Sequence, residues 1–243
     1  MASVIEVKHF AKKFGNKTVH RDVNLEVKEG QCVGLIGGSG AGKSVILRSL
    51  IGLEKPDAGE VIVLGQNLAL LKEKELIPLR QKVAYVFQGG ALFDSMTVAE
   101  NLAYPLREHT HLSNKEIQKK VTATLNAYDL KGTEKVMPAE LSGGMQKRVG
   151  LARATILDPQ VVLFDEPTAG LDPYNTKQIQ FRILELKKRG VTSILVTHDM
   201  PTASAVCDHM FLLLDGQIAA GGTPDELLTK KGLMSQFING ERE

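Results

Sequence analysis

Cys32, Val33, Gly34, Leu35 and Ile36 form an unbroken apolar run that opens directly into Gly37-Gly38-Ser39-Gly40-Ala41-Gly42-Lys43-Ser44. Val45, Leu47, Leu50 and Ile51 then recur at helical spacing, so the stretch predicts a strand, a glycine-rich loop and a helix over residues 44–53. Gly37, four further residues, and Gly42-Lys43-Ser44 match the phosphate-loop pattern, and strand-loop-helix is the setting that the pattern requires. Each position has a physical task. The glycines let the backbone curl until successive N–H groups converge on phosphate oxygens. The helix that follows adds about half a positive charge at its N-terminus. Lys43 supplies a mobile cation for the outer phosphates, and the Ser44 hydroxyl is a ligand for Mg2+. The expected ligand is a nucleoside triphosphate.

Asp165 and Glu166 follow the apolar strand 161–164, which places two carboxylates at the end of a sheet strand where ligands of parallel sheets collect. Asp165 is the expected partner of the Mg2+ shell. Glu166, one residue on, can point toward a water in line with the γ-phosphate as general base. His198 ends the next strand, in Val196-Thr197-His198-Asp199, where an imidazole can hydrogen-bond the γ-phosphate. Gln88, after Tyr85-Val86-Phe87, carries an amide at another strand end that can orient water or Mg2+.

Composition works by exclusion. Lys and Arg total 30 against 28 Asp and Glu, so bulk electrostatics do not suggest a nucleic-acid partner and any phosphate binding must be local. The two cysteines, Cys32 and Cys207, stand in or beside apolar runs and are expected as buried reduced thiols. The N-terminal residues lack the basic start and long apolar stretch of a secretory signal. The longest apolar runs fall far short of the ~20 residues of a membrane-spanning helix, so the chain is expected to be soluble and to reach a membrane only by docking.

The remaining pattern is α/β. Residues 4–8 and 23–28 alternate with period two around a turn at Gly15 and Asn16, and 60–64 follows a turn at 56–59, which together predict a small antiparallel β-layer. From Val98 to about Tyr128 the chain is polar and amphipathic, as expected of a helical insertion. Residues 161–164 and 193–196 are β-rich and apolar throughout, with a helix over 176–189 between them, so the core is expected to be a mostly parallel sheet covered by helices.

Leu141-Ser142-Gly143-Gly144-Met145, shortly before the strand ending in Asp165 and Glu166, adds a second glycine loop. In this order and spacing the pieces resemble the ATP-binding subunit of an ABC transporter, over essentially the whole chain. The resemblance implies a single ABC ATPase domain, 1–243, with a RecA-like core. It divides the rest into an N-terminal β-subdomain mainly at 1–30 and 58–70 and an inserted α-helical subdomain at about 92–157. It implies ATP with Mg2+ as cofactor, Phe14 stacking on adenine, and Val45 joining the binding set beside Ser44. Ser142, Gly143 and Gly144 resemble the loop that caps the γ-phosphate held by a second copy, Asp172 the loop that crosses the dimer interface, Gln88 the residue that senses Mg2+ and the membrane partner, and His198 the switch histidine. Met145 departs from the more common Gln.

Phe87-Gln88-Gly89-Gly90-Ala91-Leu92-Phe93, Tyr104-Pro105-Leu106 and Met145-Gln146-Lys147-Arg148 are similar to the ATPase of the Mla/MCE phospholipid transporters of bacteria. That similarity implies a homodimer on the cytoplasmic face of the inner membrane, held there by permease subunits and accompanied by an MCE lipid-binding subunit. Two alternatives stay open on residues alone: an importer ATPase for a small polar solute, and an ATP-gated clamp with no membrane partner.

Overall fold

The computed structural model describes residues 2–229 and 232–239. Strands β1 (Ser3–Phe14) and β2 (Lys17–Lys28) pair antiparallel around Gly15. In β2, buried Val23, Leu25 and Val27 alternate with exposed polar residues, which turns one face of the pair inward. After β3 (Cys32–Ile36) and helix α1 (Lys43–Ser49), β4 (Ala58–Val63) pairs with the free side of β1, and β5 (Gln66–Asn67) with β4. Helix α1 is shorter than its apolar spacing suggests. Gly52 adopts a φ of 68°, and the N–H groups of Leu53 and Gly52 return to the carbonyls of Arg48 and Ser49, a glycine C-cap that ends the helix.

Helix α2 (Glu73–Arg80) leads to β6 (Val83–Val86), followed by α3 (Val98–His109), α4 (Asn114–Ala127) and α5 (Gly143–Thr155). Thr97 with Glu100, and Ser113 with Glu116, form capping boxes that start α3 and α4 at defined residues. The chain then alternates through β7 (Val161–Asp165), α6 (Pro173–Lys188), β8 (Thr192–Val196) and α7 (Met200–Val206). Helix α6 begins three residues before Thr176 because Asp172 caps it and Pro173 occupies its first turn. Strands β9 (His209–Leu214) and β10 (Gln217–Gly222), with helices α8 (Pro224–Thr229) and α9 (Leu233–Asn239), complete the described chain.

The strands order as β5-β4-β1-β2-β10-β9-β3-β8-β7-β6. From β9 to β6 every neighbouring pair is parallel, and β3 and β8 are buried at all positions, so their continuous apolar composition follows from having both faces covered. On one face Phe164 packs with Leu102, Leu106, Leu125 and Val149 of the inserted helices. On the other, Leu163 and Ile194 join Leu47 of α1 to Ile5, Phe10 and Val61 of the antiparallel layer. Full burial of side chains of this size contributes about 1.5–3 kcal/mol each. The sheet order brings the carboxyl ends of β3, β7 and β8 to one edge.

Candidate nucleotide site

The phosphate loop lies between β3 and α1. Gly40 and Gly42 have φ of 77° and 94°, the left-handed backbone that lets the loop curl and that side chains resist. A Cβ on Gly37 would stand 2.7 Å from the Leu213 carbonyl, so β9 closes the loop from behind, whereas Gly40 faces open space. Lys43 is folded back: its Nζ donates to the carbonyls of Gly37 at 2.8 Å and Gly38 at 3.0 Å. Burial pulls its pKa down from the usual lysine value, and Glu166 and Asp165 oppose that shift. An ammonium held by two carbonyls is ready to exchange them for phosphate oxygens, which are stronger acceptors.

Ser44 Oγ donates to Asp165 Oδ1 at 2.9 Å, and Tyr85 OH donates to Asp165 Oδ2 at 2.7 Å. The carboxylate is thereby fixed from both sides. A hydroxyl and one carboxylate in contact suit a hard divalent cation that takes its other ligands from phosphate and water. No cluster of three or more His, Cys, Asp or Glu able to hold a metal occurs among the described residues, so any cation here depends on the nucleotide for further ligands.

Glu166 sits one residue past β7 with φ of 50°, a left-handed conformation uncommon outside glycine. Its N–H donates to Val196 O at 2.9 Å, which pins the bend to the end of β8. The side chain then meets His198 Nδ1 at 3.0 Å. Glu166 is largely buried while His198 is exposed, so the pair presents a carboxylate backed by an imidazole to the open side of the sheet edge. Thr168 Oγ1 and the α7 N-cap Asp199 are linked at 3.3 Å, which ties the segment after Glu166 to the one after His198.

Phe14, Gly40, Gly42, Lys43, Ser44 and Val45 line one cleft of about 370 Å3. It places an aromatic face, 43% exposed and with Lys12 Nζ 5.3 Å from its centroid, at one end and the phosphate loop at the other. Gly38, Ser39 and Ala41 line the adjoining cavity beside β9. Gln88 is exposed beyond the end of β6, and no hydrogen bond joins it to Asp165 among the described residues. The loop after it is held by Asn101, whose side chain bonds Phe93 N and the carbonyls of Phe93 and Met96 at 2.9–3.1 Å.

The second glycine loop starts α5. Ser142 Oγ accepts from Met145 N at 3.3 Å, Gly143 has open space around it, and Met145 packs against the core. A Cβ on Gly144 would stand 2.4 Å from the Asn175 amide. Asn175 accepts from Arg148 and donates to Asp172, and Asp172 accepts from Asn175 N at 2.9 Å. These bonds hold the Asp172 carboxyl below its usual range. Lys147 also donates to Ala169 O, so two ties bind this loop to the segment after Glu166.

Residues 20–169, more than half of the chain, match the family described as ABC transporter. The chain belongs to the ABC transporter family. The ABC cassette is 42% identical over 244 residues to the probable ribonucleotide transport ATP-binding protein mkl of Mycobacterium leprae, covering 100% of this chain and 70% of that one. It is 38% identical to the intermembrane phospholipid transport system ATP-binding protein MlaF of Haemophilus influenzae, covering 99% and 92% of the two chains. Among solved structures, the dimeric post-hydrolysis ATP-binding cassette MJ0796 bound to ADP and Pi superposes with a TM-score of 0.84 at 32% identity, covering 90% and 98%. The ABC cassette is an ATP-binding and ATP-hydrolysing subunit. No helix among its described residues is long and apolar enough to cross a membrane.

Several residues in and around the candidate site escape the sequence patterns. Tyr85 reads as one more residue of a buried strand, and only the pairing of β6 with β7 brings its hydroxyl to Asp165. Asn175 precedes the expected helix over 176–189, and Lys147 and Arg148 enter only through the family similarity; the fold is what joins them to Asp172 and Ala169. His20 carries no motif at all. Cys32 and Cys207 are buried and free as expected, but the fold also brings their sulfurs to 3.9 Å.

Proposed function

We propose that this ABC subunit is the Mg2+-dependent motor of a phospholipid transporter working between the inner and outer membranes. The observation that carries the reading is the near full-length similarity to an intermembrane phospholipid ATPase, which spans the residues after Gln88 as well as the motor motifs. The cassette is one ATPase domain over 1–243, with a β-subdomain mainly at 1–30 and 58–70 and the helical insertion at about 92–157. Its exposed Phe87, Phe93 and Tyr104 form the surface that receives a permease. It works as a peripheral subunit on the cytoplasmic face of the inner membrane, with an MCE lipid-binding subunit in the same complex.

Two copies close face to face on two ATP molecules, each between one phosphate loop and the Ser142–Gly144 loop of the other copy. Phe14 stacks on the adenine, Lys43 leaves its two carbonyls for the outer phosphates, and backbone N–H groups of Gly38 to Val45 cradle the remainder. Ser44, Asp165 and Gln88 hold Mg2+, which when bound neutralises charge on the transferring phosphate. Glu166 takes the proton of the attacking water and His198 orients Glu166 and bonds the γ-phosphate. Asp172 crosses the interface. Closure completes a site that one copy leaves half wrapped.

The name of the mkl relative supports a second reading, transport of a ribonucleotide. The subunit purified with its membrane partner, placed in lipid nanodiscs, separates the two. Stimulation of ATPase activity by phospholipid, with lipid recovered by mass spectrometry, supports the proposal. Stimulation by a ribonucleotide other than ATP and none by phospholipid would sink it.

A further inference from the structure

His20 is a buried side chain that the nucleotide chemistry leaves unused. It lies on β2 with no solvent exposure, and neither Nδ1 nor Nε2 has a hydrogen-bond partner. Buried polar groups nearly always pair, because an orphan forfeits its hydration without recompense. A leucine would fill the same space without that cost. The ring is wedged between Phe10, edge-on at 5.2 Å, and the underside of the phosphate loop. Its Nε2 stands 2.5 Å from where a Cβ on Gly42 would be, so glycine at 42 is what admits the imidazole. Burial keeps it neutral by pushing its pKa down to about 4; the Gly42 backbone acts in the opposite sense without reaching hydrogen-bond geometry. A neutral imidazole carries one donor and one acceptor, both idle against the hinge of the loop.

The loop itself is closed on its own lysine, with Lys43 Nζ on the carbonyls of Gly37 and Gly38. Turning that ammonium toward phosphate frees both carbonyls. We propose that His20 is a positioning residue that hydrogen-bonds the Gly42 end of the phosphate loop in the nucleotide-bound conformation, so that its ring, orphaned while the loop is folded on Lys43, favours the loop that has turned Lys43 toward phosphate. A ligand shifts a conformational equilibrium only through a difference between the two states, and an imidazole paired in one of them supplies such a difference. The proposal rests on residues 37–44 being the nucleotide cradle.

The test uses the full chain with Mg2+ and a slowly hydrolysed ATP analogue, comparing wild type, His20→Leu, His20→Gln and, as control, Lys43→Ala. His20→Leu should melt at the same or a higher temperature than wild type without nucleotide yet bind the analogue about 3- to 10-fold more weakly, the scale of one net hydrogen bond. His20→Gln, which keeps a donor and an acceptor at a similar reach, should restore most of the affinity. In wild type, the imidazole 15N resonances of His20 should move on saturation, a readout independent of how the variants fold. Wild-type affinity in His20→Leu, or unmoved 15N resonances, overturns the proposal if Lys43→Ala is defective. Wild-type affinity in Lys43→Ala overturns the cradle and the proposal with it.

Discussion

His198 Nδ1 stands 3.0 Å from Glu166 Oε2, and the His198 backbone N–H approaches the same oxygen at 3.4 Å. The carboxylate of the residue after β7 is thus oriented by a residue two positions past β8. Replacing Glu166 with Gln keeps the side chain's shape and removes its basicity. Glu166→Gln should bind ATP normally and lose on the order of 10²-fold or more in turnover. Near-normal hydrolysis in a steady-state phosphate-release assay would refute the assignment.

Lys43 is buried, and its ammonium donates to two backbone carbonyls. Lys43→Ala removes the charge that replaces those bonds with phosphate contacts. ATP affinity should fall about tenfold or more, the scale of a hydrogen bond to a charged partner. A nucleotide titration matching wild type would contradict the cradle.

Tyr85 holds one oxygen of Asp165 while Ser44 holds the other. Burial and the neighbouring carboxylate keep the phenol protonated by raising its pKa, so it acts as donor across the physiological range. Tyr85→Phe should cost about 0.5–1.5 kcal/mol in stability. The freed carboxylate should also raise the Mg2+ concentration for half-maximal ATPase activity. An unchanged Mg2+ dependence would show that Tyr85 does not position Asp165.

Gly144 gives its Cβ space to the Asn175 amide, which joins Arg148 to Asp172. Gly144→Ala forces that amide aside, an overpacking of about 1–3 kcal/mol. The phosphate loop does not share these contacts. ATP binding by the isolated chain should survive while ATP-driven dimerisation in a Glu166→Gln background is lost. Light scattering that detected undiminished dimer would exclude the link.

Burial shifts the His20 imidazole down from 6.5 to about 4, so between those values the unfolded chain binds a proton that the folded chain does not. The stability of neutral, buried His20 is complete above about pH 6.5 and is lost as pH falls toward 4. Thermal melting at pH 7 and pH 5 should show a larger loss in wild type than in His20→Leu. Equal losses would mean that another group governs acid sensitivity.

The candidate nucleotide site was legible wherever its residues announce themselves locally. Lys43 and Ser44 follow a strand and a glycine loop, and Asp165, Glu166 and His198 interrupt or end apolar runs with polar groups that need a purpose. Phe14, Ser142 and Asp172 enter the proposed site only through family resemblance, since an aromatic at a turn or a Ser-Gly-Gly cap has no chemistry of its own. Strand β9, which lies directly beside β3, went unread as an element because a five-residue apolar run is ambiguous in isolation. Helix α1 was overread because apolar spacing continues past the glycine cap.

By itself the sequence determined the class of the chain: period-two and continuous apolar runs, glycine loops and caps act through neighbours a few residues away, and their physics is complete within a short window. The tertiary structure alone decided which ends meet. Ser44 reaches Asp165 across 121 residues and Tyr85 reaches it across 80 because β3, β8, β7 and β6 lie in that order, a choice made by burial of both sheet faces together. The same long-range packing put a solvent-free histidine beneath Gly42, where no local pattern would place one.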